Sequence, residues 1–297
     1  MVRPMRFLRQ GRLRPSLAWL GAGALLLSAA IWAIPGAFSP TGASGLPHHP
    51  APKAVATTTS TATPTTTMAP GSATVVGIGD SVTAASVCGC TGFVESYAAN
   101  LPAAAGGPAH AVNLGANGLT AAGLRTLMTT PGPTTAGVAK ADILLVTIGA
   151  NDLTPLLSQW QASGCTATCY SPAMDAVGSN VAAILSAAKN LRDHRPTRVL
   201  VTDYWNVFAD GDVARASDGP AYLRWSDQLT RALNSRICTA ARNAGATCVD
   251  LYTPFKGNGS LNPTALLAAD GDHPNAAGNL LISAALMTAT PQPSAGS

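Results

Sequence analysis

From residue 73 onward, two kinds of segment alternate along the chain. Short runs rich in β-branched and other apolar residues each predict a strand buried on both faces. These runs cover residues 73–79, 110–114, 142–149, 198–202 and 247–251. The stretches between them predict helices over residues 92–101, 120–128, 174–192, 221–244 and 275–287. Strands that alternate with helices favour a parallel sheet covered by helices on both faces, so the pattern predicts an α/β domain.

Residues 1–38 have the pattern of an export signal or a membrane anchor. Five arginines precede an uncharged stretch over residues 16–38, in which residues 17–34 are almost wholly apolar. A positive segment followed by an apolar one is typical of both signal peptides and signal anchors. The length of the apolar span is closer to that of a membrane-spanning helix, and no Ala-x-Ala cleavage site follows at a suitable distance. Either way, we expect the rest of the chain to lie outside the cytoplasm, secreted or anchored to the cell membrane.

Residues 39–72 are dominated by Thr, Pro and Ala and predict a linker. They lack the large apolar side chains that could offset the entropy lost on ordering, so we expect an extended stalk that could carry O-linked sugars. The pair His48 and His49 has no further metal ligands around it, which favours solvated linker histidines. The folded domain is then expected over residues 73–292.

Composition and charge narrow the function classes for this domain. Hydrophobic residues make up 47% of the 297 residues, which excludes global disorder, and charged residues make up only 11%. Six of the 18 lysines and arginines precede residue 73, whereas none of the 14 acidic residues do. The remaining 12 basic and 14 acidic residues leave the domain with a net charge of −2. We therefore expect no nucleic-acid partner, and no strongly anionic one.

Six cysteines, all in the predicted domain, suggest disulfide bonds in a chain with an export signal. They are Cys88, Cys90, Cys165, Cys169, Cys238 and Cys248. Cys238 lies late in a predicted helix and Cys248 in the next strand, so a bond between them would tie neighbouring elements together. Cys165 and Cys169 bracket a short loop that a bond could staple.

The pairing of Cys88 and Cys90 stays open. In an extended chain two such residues lie roughly 6.5 Å apart, near the limit of disulfide reach, so a direct bond would be strained. Cross-pairing with the loop of Cys165 and Cys169 is the alternative. A zinc site built from these four residues would need thiolates in an oxidising compartment, which disfavours it.

Three polar, glycine-containing segments follow predicted strands, and a fourth precedes the last predicted helix. They are GDS at 79–81, NLGANG at 113–118, GAND at 149–152 and DGDHPN at 270–275. The carboxyl edge of a parallel sheet is where ligands bind. In this order and spacing, the four segments resemble the blocks of the SGNH (GDSL-type) hydrolase family of esterases and lipases. The resemblance spans about residues 73–290.

The resemblance implies a three-layer α/β sandwich with about five parallel strands, the flavodoxin-like SGNH hydrolase fold. Val82 stands where the family often has leucine, a position that should pack rather than react. The G-x-S-x-G elbow of other serine esterases is absent, because Ser81 is followed by Val82 and Thr83.

Ser81, His273 and Asp270 are the candidate catalytic residues. A serine hydroxyl needs a base to remove its proton, and His273 has a carboxylate three residues before it that could orient the ring. Asp272 is the rival orienter, but an immediate neighbour more often points away from the ring, and the family pattern favours Asp270. Because a base must be neutral, we expect turnover to fall as the pH drops through roughly 6–7.

By resemblance, the oxyanion hole would consist of the backbone N–H groups of Ser81 and Gly118 and the side-chain amide of Asn151. Taken singly, Gly118 is equally well explained as a turn glycine, and Asn151 as a helix cap or Asx turn. The resemblance implies no metal ion and no organic cofactor.

Aromatic residues follow the fourth strand and could wall an acyl or sugar pocket, although core packing explains them equally well. They are Tyr204, Trp205, Phe208, Tyr222 and Trp225. The expected function is that of a monomeric carboxylesterase or lipase that forms an acyl-enzyme, with a small-molecule, lipid or carbohydrate ester as substrate. The alternatives are an O-deacetylase or acyltransferase of cell-envelope carbohydrate and an inactive binding module displayed at the surface.

Overall fold

The computed structural model describes residues 72–103 and 107–290. Its centre is a parallel sheet of five strands in the order β2-β1-β3-β4-β5. The strands are β1 (Thr74–Gly79), β2 (His110–Gly115), β3 (Ile143–Thr147), β4 (Arg198–Thr202) and β5 (Thr247–Val249). All five predicted strands are present, and the predicted α/β fold is confirmed.

Ten helices connect the strands or follow them within the described residues. They are α1 (Ser81–Ala84), α2 (Phe93–Asn100), α3 (Ala121–Thr129), α4 (Pro133–Lys140), α5 (Thr154–Ser163), α6 (Ala167–Leu191), α7 (Gly211–Ser217), α8 (Gly219–Asn243), α9 (Tyr252–Lys256) and α10 (Ala276–Thr288). Short 3-10 turns occupy Asn151–Leu153 and Pro263–Leu266. The five predicted helices correspond to α2, α3, α6, α8 and α10.

The two faces of the sheet are covered by different helices, which gives the three layers. Neighbouring residues of a strand point to opposite faces. A Cβ atom added at Gly77 of β1 would lie 2.5 Å from Val94 of α2. On the other face, Val76 of the same strand lies close to Gly137 of α4. Strands β1 and β3 are buried along their whole length, because helices cover both sides.

All six cysteines form disulfide bonds with near neighbours in the chain. The bonds Cys165–Cys169 and Cys238–Cys248 are those that the sequence suggests. The first closes the turn between α5 and α6, and the second ties α8 to β5. No cysteine of the described chain is left free.

Cys88 and Cys90 also bond directly to each other, so cross-pairing and the four-thiolate zinc site were wrong alternatives. The expected separation assumed an extended chain. Here the backbone turns at Gly89, whose φ of +58° is readily available to glycine, and the two Cα atoms lie 5.2 Å apart. That separation is within ordinary disulfide reach.

The predicted signal or anchor and the linker up to residue 71 lie outside the described residues, as do residues 291–292 of the predicted domain. They remain predictions. Within residues 72–103 and 107–290, no helix is both long enough and apolar enough to cross a membrane.

Candidate active site

Ser81 stands at the carboxyl edge of the sheet, where β1 ends and α1 begins. The chain turns at Gly79, where φ is +141° and a Cβ atom would lie only 1.9 Å from the carbonyl oxygen of Thr147. Only glycine fits there. Asp80 then caps α1, because its Oδ1 accepts a hydrogen bond of 3.1 Å from the backbone N–H of Val82. This strand–turn–helix geometry leaves Ser81 partly exposed, with its hydroxyl at the edge.

The structure brings Ser81, His273 and Asp270 into one hydrogen-bonded series. His273 Nε2 lies 2.8 Å from Ser81 Oγ, although the two residues are 192 positions apart in the chain. On the other side of the ring, Nδ1 lies 2.7 Å from Asp270 Oδ2. The carboxylate favours a proton on Nδ1, which leaves Nε2 free to accept the serine proton. Such an arrangement can activate the hydroxyl as a nucleophile.

The carboxylate beside the ring is that of Asp270 and not the rival Asp272. Asp270 Oδ1 also accepts hydrogen bonds from the backbone N–H groups of Asp272 and His273, at 3.0 and 3.1 Å. Burial raises the pKa of Asp270, but these N–H groups and the imidazole outweigh it and hold the pKa below its usual value. Asp270 is therefore ionised whenever the ring needs a counter-charge.

Asp272 lies beside the same three residues, but its pKa is shifted in the opposite direction from that of Asp270. Burial raises the pKa of Asp272 to about 6, with His273 acting to lower it and the carboxylates of Asp270 and Asp80 acting to raise it further. Asp272 therefore titrates within the working range of a histidine base, and its charge acts on His273 without a hydrogen bond between them.

The loop that carries Asp270 and His273 rests on the start of α7. The backbone N–H of Asp210 donates a hydrogen bond of 2.7 Å to the carbonyl oxygen of Gly271. Gly271 has a φ of +71°, and a Cβ atom there would lie 2.8 Å from Cβ of Val213. Glycine permits both the turn and the close approach.

A buried ion pair lies beneath this contact. Lys256 Nζ is 2.7 Å from Asp210 Oδ2, and both residues are 4% exposed. Lys256 also lies 3.1 Å from Asp227 Oδ1, and Asn206 donates a hydrogen bond of 3.0 Å to Asp210. Sequence reasoning missed this pair, since Lys256 and Asp210 lie in separate segments outside the four motif blocks.

A second polar network, wholly inside the core, supports Asp80. Thr147 donates a hydrogen bond of 2.8 Å to Asp80 Oδ1, and the hydroxyl of Tyr204 donates to Oδ2. Thr83 and Thr147 join their hydroxyls at 2.6 Å. Burial raises the pKa of Asp80, and the hydrogen bonds only partly offset it. The position of Asp80 before a helix makes it recognisable from the sequence as a helix cap. Its hydrogen bonds to Thr147 and Tyr204 could not be predicted, because those residues lie far away in the chain.

Gly118 and Asn151, the two other candidate oxyanion donors, lie at the same edge. Asn151 follows β3 and donates a hydrogen bond of 3.1 Å from Nδ2 to the carbonyl oxygen of Leu119. A side-chain amide has two N–H groups, so one is left for another acceptor. Gly118 has a φ of +72°, and a Cβ atom there would meet no heavy atom within 4 Å. The backbone of Gly118 therefore borders open space.

The five aromatic residues singled out from the sequence are buried, which favours core packing over a pocket wall. Trp160 of α5 is partly exposed and stacks on Trp225, with ring centroids 5.0 Å apart. The indole N–H of Trp225 donates to the carbonyl oxygen of Cys165 at 2.8 Å, so the disulfide-closed turn rests on this cluster. Within the described part of the chain, no group of three or more His, Cys, Asp or Glu residues is placed to hold a metal ion.

The fold also appears in solved structures of known proteins. The lipase Lip_vut3 from a goat rumen metagenome is 19% identical with a TM-score of 0.60, and the alignment covers 73% of this chain and 97% of that one. A variant of Axe2, an acetyl-xylooligosaccharide esterase from Geobacillus stearothermophilus, is 19% identical with a TM-score of 0.54, covering 76% and 98%. No curated protein matches in sequence.

A family model matches most of the described domain. The model is that of the GDSL-like lipase/acylhydrolase family, and the match runs over residues 78–281, from the end of β1 into α10. It includes all four motif blocks and therefore confirms the resemblance seen in the sequence. The chain belongs to the GDSL-like lipase/acylhydrolase family and is a serine hydrolase of ester bonds.

Proposed function

We propose that this esterase works through Ser81 as nucleophile, His273 as general base and acid, and Asp270 as the residue that orients His273. The observation that carries the proposal is the series of hydrogen bonds, 2.8 Å from Ser81 Oγ to Nε2 and 2.7 Å from Nδ1 to Asp270. The hydroxyl lies at the open carboxyl edge of the sheet, where an ester can approach it.

The reaction then proceeds in two halves. Ser81 Oγ attacks the ester carbonyl while its proton passes to Nε2 of His273, and the tetrahedral intermediate collapses as the ring returns that proton to the leaving alkoxide. A water molecule, deprotonated by the same nitrogen, then hydrolyses the acyl-enzyme. Asp270 stabilises the imidazolium in both halves, and its lowered pKa keeps it ionised.

The negative oxygen of each intermediate would be held by the backbone N–H groups of Ser81 and Gly118 and by Nδ2 of Asn151. Each well-aligned donor in such a site lowers the activation free energy by about 3–4 kcal/mol. Two features support the assignment. Asn151 reaches the residue that follows Gly118, and the space around Gly118 is open.

We further propose that the enzyme acts outside the cytoplasm, as a monomer. Three disulfide bonds in one domain are typical of oxidising compartments, and the N-terminal pattern is that of an export signal or anchor. All the proposed site residues come from one chain. The proposed substrate is a small-molecule or lipid ester, and acetylated carbohydrate is the second candidate, because one of the similar structures is named an acetyl-xylooligosaccharide esterase.

The test is hydrolysis of nitrophenyl esters of increasing acyl length, with acetylated xylan as a further substrate. Ser81→Ala should lower kcat at least about 10⁴-fold, because the nucleophile and base act as a unit. Ser163→Ala, an exposed serine at the end of α5, is the matched control and should keep full activity. Equal rates for wild type and Ser81→Ala would overturn the proposal, and acetate release from xylan alone would favour the carbohydrate substrate.

A further inference from the structure

A cavity of about 200 Å³ lies at the edge of the sheet opposite Ser81. It is lined by the last turns of α6, the connection over residues 192–197, the start of β4 and the turn that follows α8. Strands β4 and β5 begin here, whereas the catalytic serine follows the end of β1. The cavity is therefore separate from the candidate active site.

The side chains around this cavity give it a strong positive charge. Lys189, Arg192, His194 and Arg195 line it, and none of its lining residues is acidic. Three of the 12 lysines and arginines from residue 73 onward thus meet at one small cavity, in a domain whose net charge is slightly negative. The remaining walls are largely apolar.

Arg192 is the unusual member of the group. It is 3% exposed, and its guanidinium donates a single hydrogen bond, from Nη2 to the carbonyl oxygen of Pro196 at 3.3 Å. Its Nε and Nη1 are buried without a partner among the described residues. Burial lowers the pKa of Arg192 and the neighbouring Arg195 lowers it further, with Asp142 acting in the opposite sense from beyond ion-pair distance. A guanidinium stays charged in proteins, so these unpaired N–H groups are costly.

The ends of the neighbouring helices do not account for this guanidinium. Cations often bind the free carbonyl groups at helix C-termini. In α6, however, the carbonyls of Ala188 and Lys189 already accept backbone N–H groups, from Arg192 at 3.3 Å and His194 at 3.1 Å. In α8, the carbonyl of Ala241 accepts the backbone N–H of Ala246 at 2.9 Å. Backbone groups therefore cap both helices.

We propose that this cavity is an anion site that binds a phosphate group through Arg192. The planar guanidinium can donate two parallel hydrogen bonds to a phosphate, from Nε with Nη2 or from Nη1 with Nη2, and each pair includes one nitrogen that now lacks a partner. Because both of these nitrogens are buried, the side chain must turn toward the cavity to offer such a pair. Lys189 and Arg195, both exposed at the cavity, add the positive charge that a phosphate dianion requires.

The phosphate group could be free or part of a lipid headgroup, and thermal unfolding of the full chain can distinguish the two. Inorganic phosphate is the probe for the free anion and glycerol phosphate the probe for the headgroup, each against chloride at equal ionic strength. Ligands that bind only the folded state raise Tm, and we expect about 3–5 °C at roughly 20 mM of the preferred probe. The larger shift identifies the source, and no shift with either probe would overturn the proposal.

Variants locate the site. Arg192→Gln should abolish the phosphate-dependent shift, and Lys189→Gln and Arg195→Gln, at exposed positions that folding tolerates, should each reduce it at least about twofold. Arg236→Gln is the control, because Arg236 is an exposed arginine of α8 that pairs with Asp175 away from the cavity. A shift that survives Lys189→Gln and Arg195→Gln unchanged, or that Arg236→Gln removes equally, would contradict the assignment. Nitrophenyl ester hydrolysis should stay unchanged in all four variants, so failure here is independent of the proposed catalytic residues.

Discussion

Ser81 and His273, the proposed nucleophile and base, lie within one hydrogen bond of each other, yet the chain holds them in different ways. Ser81 begins a helix whose cap, Asp80, is 1% exposed and bonded to side chains of the core. His273 lies on a surface loop, and the side chain of its partner Asp270 is 38% exposed. That loop is supported from beneath, where Gly271 meets the start of α7.

This difference indicates that Ser81 is positioned by the fold as a whole, whereas His273 is positioned by local contacts beneath its loop. On the nucleophile side, neutral hydroxyls stabilise one buried carboxylate. On the base side, the support is the ion pair of Lys256 and Asp210, which is buried although the loop above it is not. Substitutions on the two sides should therefore differ in how much they change stability, rate and pH dependence.

The largest effect is expected from breaking the ion pair under the base. Lys256→Met leaves Asp210 buried without its cation, although Asp227 keeps Arg231 at 2.8 Å, and the free energy of unfolding should fall by about 3–5 kcal/mol. The activity of the protein that remains folded should fall as well, because the loop loses its support. Urea unfolding and ester hydrolysis below the Tm measure the two effects. Lys140→Met, at an exposed end of α4, is the control. If Lys256→Met loses no more stability and activity than Lys140→Met does, the ion pair of Lys256 and Asp210 does not support the loop.

An intermediate effect is expected from the core network under the nucleophile. Tyr204→Phe removes the hydroxyl that donates to Asp80, which should cost about 1–3 kcal/mol of stability. Because Asp80 sets the position of Ser81, kcat should fall about tenfold, equivalent to about 1.4 kcal/mol, with KM unchanged.

Tyr97→Phe separates these two consequences. Tyr97 is equally buried, and its hydroxyl bonds to Thr290 at 2.7 Å on the α2 side of the domain. It should lose similar stability without loss of kcat. If both variants slow the reaction equally, the Asp80 network is a stabilising feature of the core and not a support for the nucleophile.

The smallest effect is expected from Asp272, which acts on the base through charge alone. The positive charge of a protonated His273 ring lowers the pKa of Asp272, so a charged Asp272 and a charged ring attract each other. Asp272→Asn removes the charge, so the low-pH limb of kcat/KM should move to lower pH by a fraction of a unit. Asp175→Asn, an exposed change on α6, should leave the profile in place. A shift to higher pH would show that the sign of this interaction is wrong.

The sheet could be predicted because its strands are buried on both faces and so form continuous apolar runs, as in β3. Helix starts were harder to place. The expected start of α6 at Met174 is seven residues late, because the helix begins at Ala167 and continues through Pro172. The helices α1, α4, α5, α7 and α9 were not predicted, and of these α1, α7 and α9 span two turns or fewer and carry little periodicity.

In the candidate site, too, some residues could be predicted from the sequence and others could not. Ser81, His273 and Asp270 could be named from the four motif blocks, because a familiar order of blocks carries long-range information that local pattern does not. The hydroxyl of Tyr204 donates a hydrogen bond to Asp80, 124 positions away in the chain. No local sequence pattern around either residue predicts that contact. Lys256 likewise gave no signal, since a lysine in a short helix is expected to be exposed.

The most direct test of the proposed catalytic series is covalent labelling with a fluorophosphonate, followed by mass spectrometry of the digested full chain. A serine activated by its neighbouring imidazole should form one adduct, on the peptide that contains Ser81, and His273→Gln should slow its formation at least about 10³-fold. An adduct on another serine, or an unchanged labelling rate in His273→Gln, would contradict the pairing of these two residues as nucleophile and base.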